Sequence, residues 1–135
     1  MTNKQTMEEL HKKLLEIWNE GRTEYIREIF DPNVNYSLNN IQNKGIESLA
    51  SHINEVKQSI QNAKYTTQDV FYLENNDKII QRWTGKGTFT APFKNLQPTH
   101  KPFEYGGITI CQVKNNTISD LWIYNNFQES LEKTS

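Results

Sequence analysis

The sequence contains one cysteine, Cys111, so no internal disulfide is available and the fold has to be held by its core. Histidine is nearly as scarce. His11, His52 and His100 do not share a helix face at ligand spacing with a carboxylate pair, and no metal and no cofactor are expected. No run approaches the roughly 20 apolar residues of a membrane span, and Met1 to Leu10 lacks the apolar centre of a secretory signal, so a cytoplasmic protein with no membrane partner is expected. Charge of one sign is missing too: 15 Lys and Arg stand against 16 Asp and Glu, a net charge of −1. That balance provides no field to draw the chain to nucleic acid or an anionic surface, and it suits a small neutral partner.

Aromatic residues, in contrast, are plentiful: six Tyr, six Phe and three Trp supply large buried area per residue in a chain of 135, the size of one domain over residues 1–135. Thr6 and Glu9 have the spacing of a capping box and predict a helix start. Met7, Leu10, Leu14, Ile17 and Trp18 form one stripe, and Gly21 provides a left-handed stop. Thr23 is placed to cap a short helix burying Ile26, Ile29 and Phe30, with Asp31-Pro32-Asn33 as a turn. A short strand over 33–38 and a polar loop through Lys44 follow. Ile46, Leu49, Ile53, Val56 and Ile60 then alternate steps of three and four on one face of a helix whose flank carries His52, expected at the surface. Beyond Tyr65, β-branched and aromatic runs separated by turn residues predict strands over 64–74, 78–90, 102–113 and 117–126. Helices first and strands afterwards indicate an α+β fold with the helices on one face of the sheet.

The segment "RWTGKGTFT" (82–90) carries two glycines inside a strand. Regular alternation puts Trp83, Gly85, Gly87 and Phe89 on one face and Arg82, Thr84, Lys86 and Thr88 on the other. The glycines are expected to leave a hollow and let the sheet curve. The same count places Trp122, Tyr124 and Asn126 together on the inner face of the last strand, and Cys111 is expected as a small buried hydrophobe.

The order and spacing of "FDPNVNY", "KGIESLASHI", "NNDKIIQRWTGKGTFT", "QPTHKPFEYGGI" and "NNTISDLWIYNN" resemble the SnoaL-like polyketide cyclases, within the superfamily related to nuclear transport factor 2. The resemblance runs from the first helix to Leu131. It implies a cone-shaped fold, N-terminal helices packed on a strongly curved antiparallel sheet that encloses a pocket, and a homodimer. Cyclases of this family usually have a Thr-His pair in the glycine-bearing strand and an Asp four residues after the tryptophan of the last strand, and these handle the proton in an aldol ring closure. Here those places hold Thr88-Phe89 and Asn126, and His100 stands where glycine is common. Phe carries no transferable proton, and an Asn amide is no base at neutral pH.

The candidate ligand-binding residues are therefore Trp83, Phe89, Trp122 and Tyr124 as walls and Asn126 as a polar anchor for a small hydrophobic or aromatic molecule. Candidate catalytic residues are Tyr36 and Tyr105, whose phenols can hold a carbonyl oxygen as enolate charge develops, and Asp69. Asp69 suits a base if it is buried, whereas a bulge would turn it outward. Asp120 shares the parity of Asn126 and is expected in solvent near the strand entrance. Three functions follow: a cofactor-independent cyclase or isomerase, a non-enzymatic binding protein with the same pocket, or an interaction module using the outer face of the sheet.

Overall fold

The computed structural model describes residues 2–135. Helix α1 (Lys4–Glu20) starts earlier than the Thr6–Glu9 spacing suggests. Asn3 is the cap, its side-chain oxygen accepting the Thr6 amide at 2.8 Å, and Gly21 ends the helix at φ 69°. Helix α2 (Glu24–Ile29) follows Thr23, whose side chain makes no capping bond.

Strand β1 (Phe30–Leu38) runs straight through Asp31-Pro32-Asn33, where a turn was expected. The Asn33 amide donates to Asp31 Oδ1 at 2.7 Å, and the pairing register shifts between Phe30 and Asn35. Pro32 thus sits in an irregular stretch where its missing N–H is tolerated. Asn39 and Asn40, at φ 49° and 72°, close a two-residue hairpin to β2 (Ile41–Lys44), a strand in place of the expected loop. Helix α3 (Ile46–Ser59) buries Ile46, Leu49, Ile53 and Val56 as its period predicts.

Four long strands complete the sheet: β3 (Ile60–Leu73), β4 (Lys78–Phe89), β5 (Pro102–Lys114) and β6 (Thr117–Asn125). A short helix that the sequence pattern did not disclose, α4 (Phe127–Glu132), packs against β5. The strand order is β2-β1-β6-β5-β4-β3 in one curved, open sheet. The sheet is mixed where an antiparallel one was expected, because β1 runs parallel to β6 while the other neighbours are antiparallel. Helices α1 and α3 cover its concave face. Among the described residues no helix is long and apolar enough to cross a membrane.

The glycines of β4 are on the inner face as counted, but the room they leave is not empty. Tyr65, Gly85 and Tyr105 form one cross-strand row, and a Cβ on Gly85 would lie 2.7 Å from the Tyr65 ring and 3.0 Å from that of Tyr105. At Gly87 it would lie 2.2 Å from Ile60 Cγ2. The glycines therefore admit neighbouring side chains, and the hollow lies beside them. Gly85→Ala and Gly87→Ala are each expected to destabilise the fold by about 1–3 kcal/mol through overpacking, read as a lower melting temperature.

Candidate functional site

Between α1, α3 and the inner sheet face lies a cavity of about 450 Å³. Its apolar wall includes Trp18, Trp83, Ile123 and Phe127, and its polar groups come from helix and sheet alike. Tyr36 and Ser48 join hydroxyl to hydroxyl, linking β1 to α3. Tyr65 and Tyr105 do the same across Gly85, with their oxygens 2.5 Å apart. Burial pushes the Tyr65 phenol up to about 12, against a smaller opposing effect of the Tyr105 hydrogen bond, and raises Tyr105 well above its ordinary value. Both are neutral phenols at pH 7, able to donate but not to act as bases.

Deeper in, Gln81 and Thr109 line the cavity from β4 and β5. The Gln81 carbonyl oxygen accepts from His11 Nε2 at 2.9 Å and from the Thr67 hydroxyl at 3.1 Å. His11 Nδ1 in turn accepts from the Tyr72 hydroxyl at 3.2 Å. His11 is thus a satisfied core histidine tying α1 to the sheet. The Trp83 indole N–H donates to Thr109 Oγ1 at 2.9 Å.

His52, expected at the surface, lines the cavity and is half-buried. It makes no side-chain hydrogen bond among the described residues. The helical period alone put it on the flank of α3; the wall of sheet facing that flank is what encloses it. Lys94 also lines the cavity, and it is exposed.

Of the candidate catalytic and ligand-binding residues read from sequence, Tyr36, Trp83 and Tyr105 line this cavity. The others do not. Phe89 is 1% exposed within an aromatic cluster that includes Phe93, Phe103 and Phe127. Asp69 faces outward beside Arg82, whose Nε and Nη2 both approach its Oδ2 at 2.7 Å; a register shift between Thr67 and Asp69 turns it away from the side of Tyr65.

Trp122 and Tyr124 lie on the outer face, and the cavity is lined instead by Leu121, Ile123 and Asn125. The cause is an irregularity in β6. Ile118 and Leu121 are both buried although three positions apart, and the register with β5 shifts between Gln112 and Val113, so the alternation reverses before Leu121. Asn126 is exposed, and its side-chain oxygen accepts from the Gly106 amide at 3.0 Å. Asp120 bonds the Ser119 hydroxyl at 2.9 Å on the same outer side as Asn35, and Cys111 is buried, its thiol pushed up to about 12 by desolvation. No cluster of residues suited to a metal ion occurs among the described residues.

A family model described as SnoaL-like polyketide cyclase matches residues 8–133. Among solved structures, TsrD from Streptomyces laurentii is 19% identical, with a TM-score of 0.86 over 99% of this chain and 97% of its own. A candidate polyketide cyclase from Xanthomonas campestris pv. campestris is 17% identical, with a TM-score of 0.82 over 99% and 100%. IdmH, a candidate polyketide cyclase from Streptomyces antibioticus, is 19% identical, with a TM-score of 0.79 over 94% and 96%. At these identities the likeness is one of fold. No curated protein matches the chain significantly in sequence.

Burial pulls the His52 pKa down to about 4, with the Lys94 charge as the smaller contribution. Between that value and the unfolded value near 6.5 the unfolded chain binds a proton that the folded chain does not, so stability rises with pH in this window. Acidification from about pH 6.5 to 4 is expected to remove up to about 3 kcal/mol through His52, and His52→Gln should flatten that part of a denaturation-against-pH curve.

Proposed function

The chain belongs to the SnoaL-like polyketide cyclase family, and from that premise we propose that its cavity holds a small cyclic or aromatic molecule and moves a proton on it without a cofactor. The observation that carries this is the cavity lining: flat apolar walls, neutral phenols and an imidazole that is uncharged at pH 7. In this scheme His52 removes a proton from carbon beside a carbonyl, and the Tyr65–Tyr105 pair or Tyr36 donates to the oxygen as negative charge develops. A base with so low a pKa suits a carbon acid activated by two carbonyls, because proton transfer is efficient only when donor and acceptor are matched.

Binding without turnover is favoured by a different observation. The positions where cyclases of the family usually carry His and Asp are Phe89 and Asn126, one sealed in the core and the other holding the Gly106 amide. A melting-temperature screen against polyketide-like aromatics, steroids and small ketones tests the shared premise: a ligand at 100 times its dissociation constant should stabilise by about 2.7 kcal/mol. Turnover of a stabilising ligand that falls roughly 10²- to 10⁴-fold in His52→Ala, with the thermal shift retained, supports the enzyme. Binding with no turnover by the wild-type protein supports the carrier, and no shift with any compound moves the weight to an interaction module.

We also propose a homodimer. The outer sheet face carries the cross-strand row Phe71–Ile80–Ile110–Trp122 beside Arg82–Ile108–Tyr124, and Phe71 and Ile108 are 57% and 43% exposed. A second copy laid on this face would cover them. Sedimentation is expected to give the mass of two chains, falling to one in Ile108→Glu; a single-chain mass for the wild-type protein at high concentration overturns it.

A further inference from the structure

We propose that Gln81 and Thr109 form a hydrogen-bond-donating floor that takes a neutral carbonyl oxygen of the bound molecule, so that the ligand seats ketone-first between β4 and β5. This rests on the cavity being a small-molecule site, and it adds which functional group is recognised and where.

The two residues are direct partners across the strands, both line the cavity, and they are only 5% and 6% exposed. Polar groups so deep in a core are costly unless paired. Their acceptors are paired. The Gln81 carbonyl has two lone pairs, and the His11 N–H and the Thr67 O–H occupy both. With the Gln81 oxygen turned toward α1, His11 carries its proton on Nε2, and Nδ1 is left to accept from the Tyr72 hydroxyl. The Gln81 NH₂ group points the other way and has no protein partner among the described residues.

No buried side-chain nitrogen or oxygen among the described residues is sealed off without a partner, so this NH₂ opens onto the cavity. Thr109 behaves alike: its oxygen accepts the Trp83 indole N–H, and its own hydroxyl hydrogen meets no acceptor among the described residues. Two neighbouring residues therefore present free donors to the same space. A carbonyl oxygen, with two in-plane lone pairs, can take one hydrogen from each. An alcohol or amine has less to gain, because its own hydrogen faces atoms that are already donors. A carboxylate is disfavoured because the lysine of the lining, Lys94, is exposed, leaving a buried anion without a cation at the floor.

The probes are 9-fluorenone and 9-fluorenol, which share one ring skeleton and differ at the oxygen. The wild-type protein is expected to bind the ketone about tenfold more tightly than the alcohol, and the infrared carbonyl stretch of bound fluorenone should move to lower frequency than in an apolar solvent. Because Thr109→Val also frees the Trp83 indole N–H, it is paired with Trp83→Phe: the double variant should shift that band back and weaken the preference, while Trp83→Phe alone and Thr109→Ser, which keep the hydroxyl, should retain both. The wild-type spectrum alone decides the point if the double variant does not fold. Equal binding of the two probes with an unshifted band overturns the donor floor and leaves the cavity intact as a binding site. Tighter binding of the alcohol overturns it too, and would mean that the Gln81 amide presents its oxygen. If neither probe binds, and no other cyclic compound raises the melting temperature, the cavity reading falls and this inference falls with it.

Discussion

The bond between the Tyr65 and Tyr105 hydroxyls, made over a residue without a side chain, is the contact on which the interior is organised. The two rings come from strands either side of β4 and meet edge to face at 5.9 Å and 89° above Gly85. Any larger residue in the middle of that row would force the rings apart. Trp83 packs edge-on against both, at 5.9 and 5.3 Å, and Phe103 and Phe127 extend the cluster from Tyr105. The same rings that fill the interior at one end are the wall of the cavity at the other, so core and site share one set of side chains.

Around this row, polar contacts keep the helices at a set distance from the sheet. Asn19 near the end of α1 grips the backbone of Tyr65 in both directions, donating to its carbonyl at 2.9 Å and accepting its amide at 2.7 Å. Lys57 of α3 donates to the Trp18 carbonyl at 2.8 Å, joining the two helices. The His11–Gln81 bond fastens the earlier part of α1 to β4. Directional bonds of fixed length hold elements apart as well as together, which purely apolar packing does not do. A space of the observed size survives between helices and sheet for that reason.

How far this was legible from the chain depends on which regularity each element obeys. The α3 stripe from Ile46 to Val56 and the face of β4 follow simple periods with no interruption, and the structure keeps both, down to Trp83 and the two glycines; the period does not mark where α3 stops, and Ile60, on the same count, already begins β3. Trp122 and Tyr124 lie on the face opposite to the one their count gives, and Asp69 takes the outward of its two alternatives, for a common reason: one irregular residue in β6 and one in β3 reverse the alternation beyond it, and side-chain identity carries no sign of where that happens. His52 was passed over for another reason. A flank position on a helix is exposed or enclosed according to what lies opposite, and that is a property of the assembled fold. The glycines stand out in the sequence, but their purpose is the reverse of a hollow, because the side chains that fill the room above them, Tyr65 and Tyr105 at Gly85 and Ile60 at Gly87, belong to distant parts of the chain.

The parallel pairing of β1 with β6 bears on how the molecule is made. Asn39 donates its amide to the Ile123 carbonyl and accepts the Asn125 amide on its side chain, so the hairpin of β1 and β2 is stitched to the last strand and to nothing earlier in the sheet. During synthesis the ribosome delivers that hairpin more than 70 residues before its only sheet neighbour. Until β6 emerges, Phe30, Val34 and Tyr36 have the helices to pack against but no further strand to join, and one edge of β1 stays unpaired. Pairings so distant along the chain also favour slow folding. The short β2 closes the opposite edge of β1 in the meantime, so one edge of the hairpin's inner strand and not two waits for a partner.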